Sequence, residues 1–133
     1  MSDRYAVVDA SVGVKWFSPE SGHDGAVDLL RQAALGEVVL VVPDLFVYEV
    51  LRTVRRKAGA DAARSVVSFF AEAGLVTVPP SRALLEGALD YAEKAGCDVY
   101  DACSAALATA LGAPLYSADR RAHSRHPLVR LIG

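Results

Sequence analysis

The sequence has few of the features that would place a chain outside the ordinary globular class. It contains only two cysteines among its 133 residues, and its longest strongly apolar run, residues 38–42, ends at Pro43. A membrane-spanning helix needs about 20 apolar residues, so no membrane segment is expected. Asp3 and Arg4 interrupt the region where a signal peptide needs an apolar stretch. We therefore expect a cytoplasmic protein.

The two cysteines are too far apart for a disulfide if they share a helix. Cys97 and Cys103 are six residues apart, which corresponds to about 9 Å along a helix axis. Buried free thiols are expected instead. The sequence also lacks a linker, an internal repeat and a low-complexity tract, and 53% of its residues are hydrophobic. We expect a single domain over residues 1–133.

Strand-like and helix-like segments alternate along the chain. Short β-rich runs predict strands over residues 4–8, 38–42, 75–78, 115–117 and 128–132. Apolar residues at helical spacing predict helices over residues 11–17, 24–34, 44–58, 60–73, 98–111 and 120–124, with another after Ser81. This alternation predicts an α/β fold with a parallel sheet covered on both faces.

Two details of the helices can be predicted from residue type. Asp44 and Ser81 are expected to cap the helices that they precede, because short polar side chains accept hydrogen bonds from free N–H groups. The helix after Ser81 is expected to turn three apolar side chains toward the core, those of Leu85, Leu89 and Ala92.

Four acidic residues follow or adjoin apolar segments. Asp9 and Asp119 come directly after predicted strands, Glu49 lies about one and a half turns into a helix, and Asp101 lies in the first turn of another. The carboxyl ends of parallel strands meet near one edge of a sheet, so all four can reach it. Close carboxylates raise each other's pKa, and Mg²⁺ or Mn²⁺ relieves this repulsion. The pattern predicts a metal-dependent enzyme acting on phosphate groups.

The same repulsion gives an expectation about stability. Removing one charge, by Asp9→Asn or Asp101→Asn, is expected to raise the melting temperature of the metal-free protein. Each acid also has an ordinary structural explanation. Asp9 and Asp119 could cap short helices, and Asp101 could be stabilised by the helix dipole in the first turn of its helix. Glu49 could lie on an exposed helix face.

Basic residues form two groups, although the formal net charge is −2. Removing the four acids from that charge leaves the rest of the chain at +2. A phosphodiester substrate needs cations along its backbone, although solvated helix faces would give the same pattern. The first group is Arg52, Arg55, Arg56 and Lys57, and the second is Arg120, Arg121, Arg125 and Arg130. We expect His123 and His126, which lie in the second group, in a solvated loop.

Two other classes of protein are alternatives. A receiver-type phospho-acceptor domain is also a small parallel α/β fold, but it needs adjacent acids after the first strand and a lysine after a late one. Here residue 10 is Ala, and Lys94 lies in a predicted helix. A protein-interaction domain whose acids are only helix caps is the second alternative, and such caps would give no metal-dependent stability.

Four short motifs, in this order, resemble those of the PIN domain family: VVDAS at residues 7–11, YEVLR at 48–52, YDA at 100–102 and SADRR at 117–121. Together they span nearly the whole chain. Within the family the chain looks most like VapC, the ribonuclease toxin of VapBC toxin–antitoxin pairs. The resemblance implies a three-layer α/β/α sandwich with a central parallel sheet.

The resemblance also implies a chemistry, metal-dependent endonucleolytic hydrolysis of RNA. Asp9, Glu49, Asp101 and Asp119 would form an acidic quartet around Mg²⁺ or Mn²⁺. The metal would be held mainly by Asp9 and Asp101. A water activated by this metal would attack the phosphodiester and leave a 5′-phosphate and a 3′-hydroxyl. Glu49 would act through waters or hold a second ion. The implied supporting hydroxyls are Ser11 and Ser117, and the implied RNA contacts are Arg52, Arg55, Arg56, Lys57, Arg120 and Arg121.

The implied partners are an RNA substrate and a VapB-type antitoxin, with a toxin homodimer that assembles with the antitoxin into a hetero-oligomer. An arginine from a flexible antitoxin tail would pair with the acidic quartet. Helices over residues 26–35 and 45–54 would offer an apolar groove to that tail. A PIN-domain nuclease of housekeeping RNA processing is the alternative. His123 departs from the family pattern, in which an apolar residue is common at this place.

Overall fold

The structure, a computed structural model, describes residues 4–133. The first three residues of the predicted domain, which include Asp3, lie outside the described residues. Its centre is a five-stranded sheet in the order β3-β2-β1-β4-β5, and all paired strands run parallel. The strands are β1 (Tyr5–Val8), β2 (Val39–Pro43), β3 (Val76–Val78), β4 (Leu115–Ser117) and β5 (Val129–Leu131). The predicted parallel sheet is confirmed.

Seven α-helices connect or follow the strands within residues 4–133. They are α1 (Ala10–Gly13), α2 (His23–Ala34), α3 (Asp44–Ala58), α4 (Ala60–Glu72), α5 (Arg82–Ala95), α6 (Val99–Leu111) and α7 (Arg120–His123). The second half of the predicted first helix, Val14–Phe17, is a 3₁₀ turn. None of the helices in this part of the chain is long and apolar enough to cross a membrane.

The sheet separates two apolar layers because side chains alternate along each strand. In β1, Ala6 and Val8 pack into a cluster that also includes residues of the helices α1 to α4. Val7 faces the other way and packs against α6. The expected three-layer α/β/α sandwich is therefore confirmed.

Alanines allow α6 to lie close to its neighbours. Ala102, Ala105 and Ala108 are fully buried on this helix. A Cβ added at Gly87 of α5 would lie 3.6 Å from the Cβ of Ala106, so the two helices meet at van der Waals distance. This close packing fixes the first turn of α6 relative to the sheet.

A second close approach joins α1 to α3. A Cβ added at Gly13 would lie 2.5 Å from the ring of Phe46, so only glycine allows this contact without a shift. Helix α1, which follows Asp9, is therefore held directly against α3, the helix that carries Glu49.

The strand order creates a crevice at the centre of the sheet. After β1 the chain builds outward through β2 and β3, and it then returns to place β4 and β5 on the other side of β1. The carboxyl ends of β1 and β4 flank this change of direction, which is where open α/β sheets bind ligands. A receiver-type domain has the order 2-1-3-4-5, so the observed order excludes that alternative.

The structure confirms one of the two predicted helix caps. Ser81 caps α5 by accepting from the N–H of Leu84 at 3.1 Å, as predicted. Asp44 is instead the first residue of α3, and its side chain forms no capping hydrogen bond, because Pro43 occupies the cap position. Cys97 and Cys103 are free, but they are half-buried rather than buried.

The predicted inward face of α5 is confirmed for Ala92, which packs against a buried cluster, but it is wrong for the two leucines. Leu85 and Leu89 are 47% and 56% exposed. Leu84, Ala88 and Tyr91, each one position before a predicted residue, also pack inward.

Candidate active site

Asp9 lies at the carboxyl end of β1, and its backbone is fixed there. Its N–H donates to the carbonyl oxygen of Tyr116 in β4 at 2.9 Å. Its side chain caps α1 by accepting from the N–H of Ser11 at 3.4 Å. The residue is buried. Asp9 therefore has the capping role that the sequence allowed, and it also lies at the crevice between β1 and β4.

Three serine hydroxyls donate to the Asp9 carboxylate. Its Oδ2 atom accepts from Ser11 at 2.5 Å and from Ser117 at 3.3 Å. Its Oδ1 atom accepts from Ser104 of α6 at 2.7 Å. Ser11 Oγ also accepts from the N–H of Ala118 at 2.9 Å, which ties the ends of β1 and β4 together. These contacts hold the carboxylate in one orientation.

His123 lies beside this carboxylate and is fully buried. Its Nε2 atom is 3.6 Å from Asp9 Oδ1 and has no hydrogen-bond partner in the described part of the chain. The Tyr91 hydroxyl lies 3.2 Å from His123 Nδ1 and donates to the carbonyl oxygen of Ala122 at 2.8 Å. The imidazole is therefore packed between Tyr91 and the acid at the centre of the site.

The predicted solvated loop for the two histidines is wrong. His126 is also buried, with its Nε2 atom 2.9 Å from Thr109 Oγ1 and 3.2 Å from the carbonyl oxygen of Ala105. The flanking arginines suggested solvent, but they lie on the opposite side of the same short segment.

The pKa values of Asp9 and His123 move in directions that favour their charged forms. Burial acts to raise the pKa of Asp9, but contact with His123 and hydrogen bonds from Ser11 and Ser104 lower it below its ordinary value. Burial acts to lower the pKa of His123, but the carboxylate of Asp9, followed by those of Asp119 and Asp101, raises it. The two side chains stabilise each other's charge.

Glu49 and Asp101 have the opposite behaviour. Burial, followed by the charges of Asp9, Asp101 and Asp98, raises the pKa of Glu49 to about 7. Burial, followed by the charges of Asp119, Asp9 and Asp98, raises the pKa of Asp101. The structure thus brings the four predicted acids near enough to repel one another, and Asp98 adds a fifth charge.

Asp98 and Asp119 both cap helices as well as contributing charge. Asp98 Oδ1 accepts from the N–H of Tyr100 at 2.9 Å at the start of α6. Asp119 Oδ1 accepts from the N–H of Ala122 at 3.0 Å at the start of α7. The N–H of Asp119 donates to Ser117 Oγ at 3.0 Å, so the same serine contacts both Asp9 and the segment that carries Asp119.

The acids open onto two different cavities. The acidic cavity, of about 330 Å³, is lined by Gly96, Cys97, Asp98, Asp101, Asp119, Arg121 and Ala122. A second cavity, of about 260 Å³, is lined by Ala10, Ser11, Val14, Glu20, Glu49, Thr53 and Lys57. Glu49 is therefore separated from Asp101 and Asp119. In agreement, no three His, Cys, Asp or Glu side chains within residues 4–133 are arranged to hold one metal ion.

The donor set nevertheless suits a hard divalent cation. Carboxylate oxygens are the ligands that Mg²⁺ and Mn²⁺ prefer. Burial, followed by the charges of Asp9 and Asp101, raises the pKa of Glu49, and a divalent ion would provide a counter-charge to these carboxylates. Burial and the charges of Asp101 and Asp119 raise the pKa of the Cys97 thiol, so no thiolate competes in the acidic cavity. Asp101 and Asp119 line the acidic cavity and could hold such an ion, and a third ligand from Asp9 would need these side chains to move closer to it.

The basic residues are distributed unevenly around the two cavities. Lys57 lines the Glu49 cavity, where its Nζ atom is 3.6 Å from Glu20 Oε2. Arg121 lines the acidic cavity. Arg55 instead lines a cavity between α3 and α4, together with apolar side chains of those helices. The structure brings Lys57 and Arg121 to the candidate site, but it does not bring Arg55 there. The remaining predicted RNA contacts, Arg52, Arg56 and Arg120, are exposed on α3 and α7.

Sequence reasoning missed Ser104, His123 and Tyr91. Ser104 lies one helical turn after Asp101, among the buried alanines of α6. A polar residue at such a position needs a buried partner, and this requirement was the available signal. His126 lies three positions after His123 and four after the apolar Ala122, and this helical spacing indicated a shared buried face. No local signal identified Tyr91, because its partners lie 31 and 32 positions away in the chain.

Comparison with known families gives one match, to the model of the PIN domain, over residues 6–127. Comparison with proteins of curated function gives no match.

Solved structures give several matches at low sequence identity. The chain is similar to VapC20 of Mycobacterium tuberculosis, described as a sarcin-ricin loop cleaving toxin, with a TM-score of 0.73 and 18% identity over 90% of this chain and 93% of that one. It is similar to VapBC2 of Rickettsia felis bound to a promoter DNA fragment, with a TM-score of 0.70 and 16% identity over 96% of each chain. A toxin–antitoxin complex from Klebsiella pneumoniae has a TM-score of 0.68 and 16% identity over 94% of this chain and 95% of that one. At these identities, the matches establish a shared fold.

Proposed function

This chain belongs to the PIN domain family, and from that premise we propose that it is a Mg²⁺-dependent endoribonuclease, the toxin component of a toxin–antitoxin pair. One observation carries the proposal. Acids from four separate parts of the chain lie around the carboxyl ends of β1 and β4, where burial, followed by the charges of Asp9 and Asp101, raises the pKa of Glu49. Such a cluster is costly unless it binds cations.

The proposed roles of the acids follow from their surroundings. Asp9 is kept ionised and oriented by Ser11, Ser104 and Ser117, so it is the fixed ligand. Asp101 and Asp119 face the acidic cavity, and they would move toward Asp9 to complete the first ion site. A bound Mg²⁺ or Mn²⁺ would supply a Lewis acid that polarises a phosphate oxygen and makes water a better nucleophile.

Glu49 has a separate role in this proposal. Because it opens onto the second cavity, it would act through waters or hold a second ion. The deeper partners of the site, His123 and Tyr91, keep Asp9 away from bulk solvent.

The toxin assignment draws on the kinds of protein that share the fold. Their descriptions include a toxin that cleaves the sarcin-ricin loop, a VapBC protein on promoter DNA and a toxin–antitoxin complex. We propose correspondingly that this chain forms a homodimer, that an antitoxin restrains it, and that the two assemble into a hetero-oligomer. An antitoxin arginine entering the acidic cavity would pair with Asp101 and Asp119.

The nuclease proposal is tested with purified protein and total RNA. Wild-type protein should cleave with Mg²⁺, and EDTA or Asp9→Asn should abolish cleavage. End mapping should find 5′-phosphates and 3′-hydroxyls. Thermal stability provides a readout that does not depend on activity: Mg²⁺ or Mn²⁺ should raise the melting temperature of wild-type protein and have a smaller effect on Asp101→Asn. Near wild-type cleavage by Asp9→Asn would show that the site is assigned wrongly.

The toxin proposal needs a separate test. The gene should be expressed alone and together with an adjacent small reading frame. Growth arrest that the neighbour relieves is the expected result. Protein that is harmless alone but cleaves RNA in vitro would instead indicate housekeeping RNA processing.

A further inference from the structure

The segment after Asp119 separates its buried and exposed residues onto two sides. Its buried members are Ala122, His123 and His126. Its exposed members are Arg120, Arg121, Ser124 and Arg125. Arg120 and Arg121 lie on α7 and Arg125 lies in the turn that follows it, and all three are exposed to solvent. The inner side anchors the turn, and the outer side presents concentrated positive charge.

The exposed residues surround a cavity of their own. This arginine cavity, of about 260 Å³, is lined by Ala95, Arg120, Arg121, Ala122, Ser124 and Arg125. Arg121 and Ala122 also line the acidic cavity. A cavity rich in carboxylates and a cavity rich in guanidinium groups therefore share one wall.

The arginines of this cavity have no acidic partners within residues 4–133, since none of Arg120, Arg121 and Arg125 forms an ion pair there. Other exposed arginines differ. Arg31 pairs with Asp28, and Arg82 pairs with Glu86, each at 3.0 Å on its own helix. Three neighbouring cations without counter-charges favour an external anion.

We propose that the arginine cavity binds a backbone phosphate of the RNA strand, next to the phosphate that is cleaved at the acidic cavity. This inference rests on the proposed nuclease function. Guanidinium groups match phosphate oxygens in two-point hydrogen bonds. The phosphates beside the reacting one must pass the carboxylates of Asp98, Asp101 and Asp119, which repel them. The arginine cavity, which shares one wall with the acidic cavity, offsets that repulsion where the strand leaves the acidic cavity.

The arrangement also couples the two cavities mechanically. Asp119 caps α7 through the N–H of Ala122, and the Tyr91 hydroxyl donates to the carbonyl oxygen of the same residue. The turn that carries the arginines is thus fixed to an acid of the site and to α5. A phosphate held by Arg121 and Arg125 would keep its position relative to Asp119.

An acidic protein segment fits this pair of cavities less well than RNA does. Its carboxylates could enter the arginine cavity, but those carboxylates would be repelled by the acids across the wall. An RNA strand with divalent cations engages both cavities, so RNA is the occupant we infer.

The test removes the two arginines that do not line the acidic cavity. Arg120→Ala/Arg125→Ala is compared with Arg82→Ala, a control that removes an equally exposed arginine from α5. Binding of a fluorescein-labelled single-stranded RNA is measured by anisotropy at several KCl concentrations, with Ca²⁺ in place of Mg²⁺. The double variant should bind about tenfold more weakly at low salt. Its salt dependence should lose about 0.7 units of log–log slope for the one phosphate released. The control should match wild type.

A second measurement locates the phosphate. Single linkages of the RNA are replaced in turn by neutral methylphosphonate. One position adjacent to the cleavage site should weaken binding to wild type but have no further effect on the double variant, because the contact is already lost. Additive effects at every position would overturn the proposal.

The other outcomes are also decisive. An unchanged salt slope in the double variant, together with normal cleavage by wild type, would overturn the cavity assignment and leave the nuclease proposal standing. Weaker RNA binding by the variant, together with no cleavage by wild type, would support the cavity and overturn the nuclease proposal. Loss of binding to poly-glutamate with unchanged RNA binding would identify a protein partner and overturn RNA as the occupant.

Discussion

At the scale of single residues, the acids of the site differ in what surrounds them. The Asp9 carboxylate accepts hydrogen bonds from three serine hydroxyls and faces His123. Asp101 faces other carboxylates, and burial adds to their effect on its pKa. Ionisation is therefore favoured at Asp9 and disfavoured at Asp101. This difference changes what the two corresponding asparagine variants should do.

Asp101→Asn should stabilise the metal-free protein, as the sequence led us to expect. The substitution removes a carboxyl group whose pKa is raised in the folded state. The side chain is partly exposed, so solvent screening limits the gain to below about 1 kcal/mol, or about 3 °C in melting temperature. Asp9→Asn should do the opposite. It removes a carboxylate with three hydroxyl donors, and we expect a loss of about 1–2 kcal/mol.

Thermal unfolding of both variants in EDTA checks this pair of predictions. The original expectation of stabilisation at Asp9 is reversed by the hydrogen bonds found in the structure. Stabilisation of both variants would mean that repulsion outweighs those bonds at Asp9. When Mg²⁺ replaces EDTA in the same measurement, it should stabilise wild type more than either variant.

Glu49 should make the metal-free protein less stable as pH rises. Its pKa is raised from 4.5 to about 7, so the folded state binds a proton that the unfolded state has released between these values. The resulting stabilisation is full below pH 4.5 and is lost as pH rises through about 7. After allowance for screening, the loss is about 1–2 kcal/mol. Urea unfolding of wild type and Glu49→Gln at pH 5 and pH 8 measures it, and a constant difference between them would contradict the prediction.

Asp9, Glu49, Asp101 and Asp119 could be placed near one edge of the sheet from the sequence, because each has a defined place relative to a strand end or a helix start. The partners of Asp9 could not all be identified in that way. Ser104 and His123 reach it through packing of α6 and α7 against the sheet, and a one-dimensional pattern does not contain that packing. Residue type misled us at His123, since neighbouring arginines obscured a buried face.

At the scale of elements, α7 depends on a few contacts because it has only four residues. The Tyr91 hydroxyl donates to Ala122 at 2.8 Å and contacts His123. Burial, followed by nearby Cys97 and Asp119, raises the pKa of Tyr91 to about 12, so the hydroxyl keeps its proton. A single side chain of α5 thus secures the turn that carries Asp119.

Tyr91→Phe should therefore destabilise the protein by about 1–2 kcal/mol, because it leaves a carbonyl oxygen and an imidazole nitrogen without their partner. Hydrogen exchange at the amide of Ala122 should also become faster. Tyr48→Phe is the matched control, since Tyr48 is 70% exposed. Equal stability of the two variants would show that the hydroxyl does not anchor α7.

Helix α5 shows why periodicity alone can misplace a helical face. Leu85, Leu89 and Ala92 have the spacing of a buried stripe, but so do Leu84, Ala88 and Tyr91, one position earlier. The second stripe packs inward because Ala88 and Gly87 allow the close approach of α6. A sequence pattern with two adjacent apolar stripes does not choose between them.

At the scale of the whole molecule, the unexpected exposure of Leu85 and Leu89 bears on the proposed homodimer. These side chains lie one turn apart on the outer side of α5. Apolar side chains exposed together on one face often mark an interface. A second copy of this chain is the partner that we expect to cover them.

Leu85→Lys/Leu89→Lys should therefore convert a dimer into a monomer in light scattering, with little change in stability. Leu35→Lys on α2 is the control, since Leu35 is 68% exposed. A dimer that survives the double substitution would place the interface elsewhere.

The overall architecture followed from the sequence more fully than the site did. The alternation of strands and helices along the chain left few possible arrangements of a parallel sheet. The predicted bounds of each strand agree with the observed bounds within one residue. The position of β4 beside β1 could not be read from that alternation, because it depends on which edge of the sheet the late strands join. The division of the acids between two cavities was likewise beyond the sequence.

The long separation of Ser117 from Asp9 along the chain has a consequence for synthesis in the cell. These residues are 108 positions apart, yet they contact each other directly. At about 5–20 residues per second, ribosomes need roughly 5–20 seconds to travel between them. Throughout that interval β1 has no β4 beside it, and its acid has only part of its surroundings. The hydrogen bond between Ser117 and Asp9 therefore forms only after the final strands are made, so the acid at the crevice reaches its final surroundings late in synthesis.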